Sequence, residues 1–327
     1  MSAQVRLSLN LFFLITLAGL MTATSSVFAQ EEEAPIELLE PSRLFNVPIA
    51  DTVKAYDIGT TGGAAFGTKE FNFMAEAALG LGGIAQFEVG TISILSRVEG
   101  EESELQNLPI AGIKFYLPAG KIPDAGKFLP NISVAFRRTF GGEDVKGNTI
   151  YTKQLADLYI VASKEFLGWE NRRLGAFRLH AGGDFHSAQL KTTRGEYEQV
   201  VSFSKAQERE HKADQFSDIA DFSPKSPVVP FGGVEIWAAS KAKIMGEFGY
   251  TADFKEEVED INSKVDRVWM TVFGVRFFFT NYLTTDVGIR YQGNFETVAD
   301  ANIEAKLSLS IPTHLIYESI TGRRAGK

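Results

Sequence analysis

The feature that most constrains this chain is an apolar residue at every second position, repeated in segments whose separating gaps are alternately very short and long. In the last segment Ala301, Ile303, Ala305, Leu307, Leu309 and Ile311 share one phase, while Asn302, Glu304, Lys306, Ser308 and Ser310 share the other. A period of two belongs to a β-strand with one apolar and one polar face. Leu283, Thr285, Val287, Ile289 and Tyr291 oppose Thr284, Asp286, Gly288, Arg290 and Gln292 in the same way, and Trp269, Thr271, Phe273, Val275, Phe277 and Phe279 form a third apolar face. Earlier in the chain Phe71, Phe73, Ala75, Ala77 and Leu79 oppose Asn72, Met74, Glu76, Ala78 and Gly80. Segments starting at Ala85 and Ile132 repeat the pattern. Weaker patterns place further strands near 53–66, 108–117, 153–166, 173–187, 231–239 and 243–254.

The gaps carry the topology. Gly82 and Gly83, Ser240 to Ala242, and Thr280 to Tyr282 read as tight hairpins. The connections around 98–107, 141–152, 188–228, 255–264 and 293–300 read as long polar loops. Segments 118–130 and 167–172 fall on the short side, and the first is long for that side. This parity puts both chain ends at the short-turn end of an antiparallel assembly. Residues 188–228 contain a charged, weakly helical run, Lys205 to Asp221, which reads either as a lid or plug or as a surface loop.

Met1–Ala29 reads as a secretory leader, with Arg6 as its charge, Leu11 to Leu20 as its apolar run, and Val27 and Ala29 before a cleavage site at Gln30. Beyond it no stretch approaches eighteen consecutive apolar residues, so a membrane crossing has to be made by strands. The formal charge is −8, and losing the leader removes one cation and no anion. That acidity argues against nucleic acid as a partner. The absence of cysteine removes acyl anchoring, disulfides and thiol chemistry. The resulting organisation is a leader 1–29, a Pro-rich periplasmic lead-in 30–51, a single antiparallel transmembrane β-barrel 52–311 of about twelve strands (ten to fourteen), and a tail 312–327.

With its leader, hairpin parity and dyad strands, the chain resembles the outer-membrane β-barrels of Gram-negative bacteria. Pro230 to Asp253 (PFGGVEIWAASKAKIMGEFGYTAD), Phe273 to Gln292 (FGVRFFFTNYLTTDVGIRYQ) and the strand Leu174 to Phe185 resemble the YjbH-type barrels linked to exopolysaccharide export. The resemblance implies an outer-membrane location and, as partners, membrane lipid and lipopolysaccharide, the barrel-assembly machinery, and a small solute or polysaccharide as cargo. It implies no cofactor and carries over no catalytic residue. The chain departs from many such barrels in continuing past its last strand to Lys327 instead of ending on an aromatic residue.

If alternate residues face inward, the lumen receives Glu76, Glu88, Lys114, Arg178, His180, Glu235, Glu247, Arg276, Asp286, Arg290, Glu304 and Lys306. Charges of both signs either face each other across an ion-conducting constriction or pair and stiffen a narrow barrel. A hydrolytic site is not expected, because His186 and Ser187 are neighbours on a strand and point to opposite faces. His180, His211 and His314 show no serine and carboxylate around them in the sequence. The four histidines have no ligand spacing, and the acidic runs Glu99 to Glu104 and Glu256 to Asp260 lack the pattern of a calcium loop, so no metal site is expected. The functional expectation is a passive channel or envelope scaffold, and the alternative is a closed barrel that receives a ligand or adheres through 188–228.

Overall fold

The computed structural model describes residues 40–67, 71–98, 104–119, 129–140, 142–166, 176–195, 197–202, 205–207, 228–256, 263–295 and 297–313. The leader, the start of the lead-in, 208–227 and the tail beyond 313 lie outside the described residues. The strands are β1 (Asp57–Phe66), β2 (Phe71–Leu81), β3 (Ala85–Val98), β4 (Glu104–Leu117), β5 (Asn131–Thr139), β6 (Gly142–Lys146), β7 (Thr149–Phe166) and β8 (Phe177–Arg194). They continue with β9 (Tyr197–Ser202), β10 (Lys205–Gln207), β11 (Val229–Ala239), β12 (Ala242–Glu256), β13 (Lys264–Phe278), β14 (Leu283–Gln292) and β15 (Asn302–Pro312). Twelve of them, all but β6, β9 and β10, pair antiparallel in a ring. The ring closes where β1 meets β15, in register from Asp57↔Pro312 to Phe66↔Ile303. The expected strand count holds, and Asp57↔Pro312 places the start of β1 and the end of β15 at the same end of the ring.

The wall is inside out relative to a soluble protein. On β15 the apolar Ile303 and Leu307 are each 53% exposed, while Glu304 is 0% and Lys306 6% exposed. On β13 Phe273 is 65% exposed and Arg276 is fully buried. Exposed apolar rows around a closed ladder are stable only against lipid, and a closed ring leaves no backbone edge unpaired in that medium. The fold is therefore a transmembrane β-barrel.

The far end departs from the sequence reading. Parts of the connections read as long loops are strand among the described residues: β3 runs on to Val98, β4 begins at Glu104, and β7 and β8 pair as far as Thr149↔Arg194. The start of the supposed helical run, Lys205 to Gln207, is the strand β10 paired with β9. Inside the ring β3 and β12 are opposite each other, yet Leu95 to Val98 pair in parallel with Asp253 to Glu256. Each strand has left the wall, since Thr251 to Phe254 and Ile94 to Ser96 are buried on both faces.

The far half is consequently a two-layer sandwich. Ile94, Leu108, Ala252, Phe254 and Val265 from β3, β4, β12 and β13 pack on Tyr151, Leu155, Ala188, Leu190 and Val201 from β7, β8 and β9. Buried polar groups rim this core: Lys153 contacts Glu256 and donates to Ser96 Oγ (2.8 Å), which donates to Glu256 Oε1 (3.1 Å). Inward apolar residues on extended strands cost nothing here, because they face each other instead of lipid.

Candidate functional site

The near half of the lumen is filled by the chain's own N-terminal segment. Residues 40–51, read from sequence as a periplasmic lead-in, lie inside the barrel. The chain reverses at Lys54–Asp57, where Asp57 N donates to Lys54 O (3.0 Å) and Tyr56 takes a positive φ of 64°. Within the barrel 42–49 forms a compact loop, with Leu44 N donating to Val47 O (3.0 Å) and Ile49 N to Ser42 O (3.2 Å).

Wall charges hold this loop by its backbone. The Glu247 carboxylate accepts from three successive amides, Phe45 N (3.0 Å), Asn46 N (2.9 Å) and Val47 N (3.0 Å), and from Asn46 Nδ2 (3.0 Å). Successive N–H groups converging on one point form an anion nest, here filled by a side chain. Cations take the carbonyls. Arg276 Nη2 donates to Arg43 O (3.0 Å) and Leu44 O (3.1 Å), Lys306 Nζ to Phe45 O (2.5 Å), and Lys114 Nζ to Asp51 O (2.7 Å). Arg43 returns the contact, with Nε 2.8 Å from Glu76 and Nη2 2.9 Å from Glu88. Burial disfavours its charge, but Glu76 and Glu88 outweigh that and hold its pKa above the usual guanidinium value.

Apolar contacts complete the fit. Leu44, Phe45 and Ile49 pack on Met245 and Val272. The Phe45 ring lies where the inward wall carries paired glycines: a Cβ on Gly274 or Gly288 would sit 2.6 or 2.7 Å from Phe45 Cζ. At Gly80 a Cβ would collide with Lys54 O, so the reversal also needs a bare position in the wall.

Glu88, Lys114, His180, Glu235, Glu247, Arg276, Asp286, Arg290, Glu304 and Lys306 are buried, and Glu76 and Arg178 are partly covered. They pair with each other, with a further wall charge or with the segment: Arg276 with Asp286 (2.7 Å), Arg290 with Glu304 (3.1 Å), Glu235 with Lys243 (2.9 Å), and Arg178 with Asp51. Arg43, Asn46, Arg137, Asp157 and Lys243 belong to the same network and were not singled out from sequence. Their signal was present, since Arg137, Asp157 and Lys243 share the inward phase of their strands.

Two sequence expectations are corrected here. His180 does have a serine and a carboxylate beside it: Ser163 Oγ lies 2.7 Å from Nδ1, and Glu235 Oε1 lies 3.3 Å from Nε2. Ser163 is on β7 and Glu235 on β11, so only strand pairing brings them together. In this conformation Ser163 Oγ accepts from Ala50 N (2.8 Å), and the trio is covered by the N-terminal segment. Likewise Asp157, Asp184 and His186 converge despite their lack of ligand spacing, offering three possible ligand atoms within 4.8 Å of one another. Those atoms engage one another and Arg137: His186 Nδ1 is 2.5 Å from Asp157, and Arg137 Nη2 is 2.8 Å from its other oxygen. Ser187 is also buried. His211 and His314 lie outside the described residues, as do 99–103 and 257–260 of the acidic runs. Between the N-terminal segment and the sandwich a cavity of about 170 Å³ remains, reached by Arg43, Arg137, Tyr159, Arg290, Ile92 and Phe231 among others.

No protein-family model matches the chain, and no curated protein matches it. Solved structures do. Omp33 of Acinetobacter baumannii is 11% identical with a TM-score of 0.37, covering 79% of this chain and 98% of its own. The NanC porin is 10% identical with a TM-score of 0.39, covering 78% and 98%. The translocator domain of the autotransporter NalP from Neisseria meningitidis is 12% identical with a TM-score of 0.36, covering 78% and 86%. The class rests on the chain's own geometry: a twelve-stranded transmembrane barrel with an internal plug.

Proposed function

We propose that this chain is an outer-membrane barrel acting as a gated conduit, shut from its short-turn, periplasmic end by residues 40–56. The observation that carries this reading is the seating of three consecutive plug amides on Glu247, with Arg276, Lys306 and Lys114 on the plug carbonyls. The wall charges therefore serve to bind the plug, where a passive pore would leave them facing water. An outer-membrane address follows from a leader-like N-terminus joined to a closed barrel with a polar interior. Lipid, lipopolysaccharide and the assembly machinery are the partners that address brings. Cargo in the exopolysaccharide class rests on the residue pattern alone.

A second reading, a closed scaffold or receptor, is favoured by the sandwich at the far end, whose wall includes part of 188–228 as β8, β9 and β10. Single-channel recording in planar bilayers separates the two. A Glu247→Ala variant that conducts far more often than the parent supports the conduit. Silence in both proteins, each shown to be a folded barrel, supports the scaffold.

A further inference from the structure

We infer that the cavity between plug and sandwich binds the acidic headgroup of a single-chain amphiphile, which enters sideways from the membrane between β2 and β3. The inference names a substrate class for the proposed conduit. It uses the barrel but does not require the plug to open.

The entrance is a break in the wall. The β2–β3 ladder ends at Glu76↔Gly90, although β2 continues to Phe71 and β3 to Val98. The break arises because β3 turns inward to pair with β12. Where the next backbone pair belongs, one hydroxyl stands in: Ala75 N donates to Thr91 Oγ1 (3.0 Å), and Thr91 Oγ1 donates to Ala75 O (3.4 Å). Above it Asn72, Ser93 and Asn107 form a side-chain clasp, with Ser93 Oγ donating to Asn107 Oδ1 (3.0 Å) and Asn107 Nδ2 reaching Asn72 Oδ1 and Phe73 O. A short stretch of wall is thus held by side chains rather than by a ladder. The cavity is lined by Met74 and Ala75 on one side of this break and by Thr91 and Ile92 on the other, so the seam forms part of its boundary. On the opposite flank β11 and β12 also part, above Gly232↔Phe248, but there Phe231 lines the gap and Arg267 reaches across to His186 O (3.4 Å).

The lining carries charges of both signs, with Glu76, Asp157, Asp184 and Asp286 beside Arg43, Arg137 and Arg290, and its unpartnered donors point to the ligand. Arg137 Nε, Arg290 Nε and the Tyr159 hydroxyl are buried, line the cavity, and have no hydrogen-bond partner among the described residues. The Arg137 guanidinium lies 5.0 Å over the Tyr159 ring, and its Nε is 3.9 Å from Glu88, one inward position below the break at Gly90. Buried donors without acceptors are costly, and an anionic group satisfies several together. Around them Ile92, Ile94, Ile110 and Leu155 supply an apolar surface. A volume of about 170 Å³ holds a carboxylate or phosphate and the first methylenes of a chain. The rest of the chain passes between Ala75 and Thr91 into the bilayer.

The chain has no cysteine, so an Ala75→Cys/Thr91→Cys pair can be bridged and released in one preparation. The protein in phosphatidylcholine vesicles is titrated with 11-(dansylamino)undecanoate, with butyrate and inorganic phosphate as competitors and a Tyr159→Phe variant alongside. The expected result is saturable binding in the reduced form, about tenfold weaker binding when oxidised and in Tyr159→Phe, and no displacement by butyrate or phosphate at probe concentration. Equal binding in oxidised and reduced forms overturns the sideways entrance. Displacement by phosphate or butyrate at that concentration overturns the amphiphile in favour of a free anion, and absence of saturable binding overturns the site. Conductance of the same preparation keeps the readings apart, because a gated conductor that ignores the probe loses only this inference.

Discussion

Replacing Glu247 by Ala should release the plug while leaving the barrel standing. The substitution takes the acceptor from three backbone amides and from Asn46 Nδ2. Hydrogen bonds to a charged group contribute about 1.5–3 kcal/mol each when counted singly. They share one carboxylate and do not add, so the loss is better taken as the roughly 3–5 kcal/mol typical of removing one partner from a buried charged pair. That shifts the docked–released equilibrium by roughly two to four powers of ten. Ala50 reports on it because it is fully buried under Ser133 and Ser163. An Ala50→Cys chain should react slowly with a membrane-impermeant maleimide, and about a hundredfold faster once Glu247→Ala is added. Lys54→Cys, on the exposed side of the reversal, should react fast in both backgrounds. Glu247→Gln keeps one acceptor oxygen and should fall between. If Ala50→Cys stays as protected in Glu247→Ala as in the parent, with heat-modifiable migration showing an intact barrel, the carboxylate does not hold the plug.

Gly288→Leu fills the space of the Phe45 ring and should speed Ala50→Cys labelling; adding Phe45→Ala should restore part of the protection, and failure to do so would place the clash elsewhere. Leu307→Arg puts a charge on the lipid face and should cost about 2–4 kcal/mol near the midplane, read from urea unfolding in vesicles; indifference would count against the outward assignment. In the sandwich, Lys153→Met should cost about 3–5 kcal/mol by stranding Glu256, whereas Lys153→Met with Glu256→Leu should recover most of it. An additive double variant would show that the two do not act as a pair.

The near half of this fold is legible in the sequence because lipid imposes a simple rule. Leu307 and Ile303 must face out and Lys306 and Glu304 must face in, and a period of two records that choice without reference to any partner. The far half obeys no such rule. From Ile94 on β3 and Thr251 on β12 the strands have left the lipid, both faces are buried, and the alternation that marks a strand disappears. Segments such as 141–152 then read as polar loops although they pair as β6 and β7. The Ser163–His180 contact and the Asp157–Asp184–His186 cluster were hidden for a different reason, since each is made by register between distant strands.

The plug was hidden because an inward-facing charge has no visible partner in sequence. Glu247, Arg276 and Lys306 have the same phase whether they line water, pair across the lumen, or hold a peptide backbone. What separates these cases is a trace that carries no charge. Gly80 and Gly288 occupy inward positions where a water-filled pore has no need of a bare backbone, and each is filled by the N-terminal segment. Inward glycines next to inward charges therefore mark a lumen shaped to receive a solid body. In such a lumen the charge pattern follows the polarity of the guest: carbonyls opposite Arg276, Lys306 and Lys114, amides opposite Glu247. A selectivity inferred from those charges would describe the plug instead of the cargo, and measurements on the released state are the ones that reach the cargo.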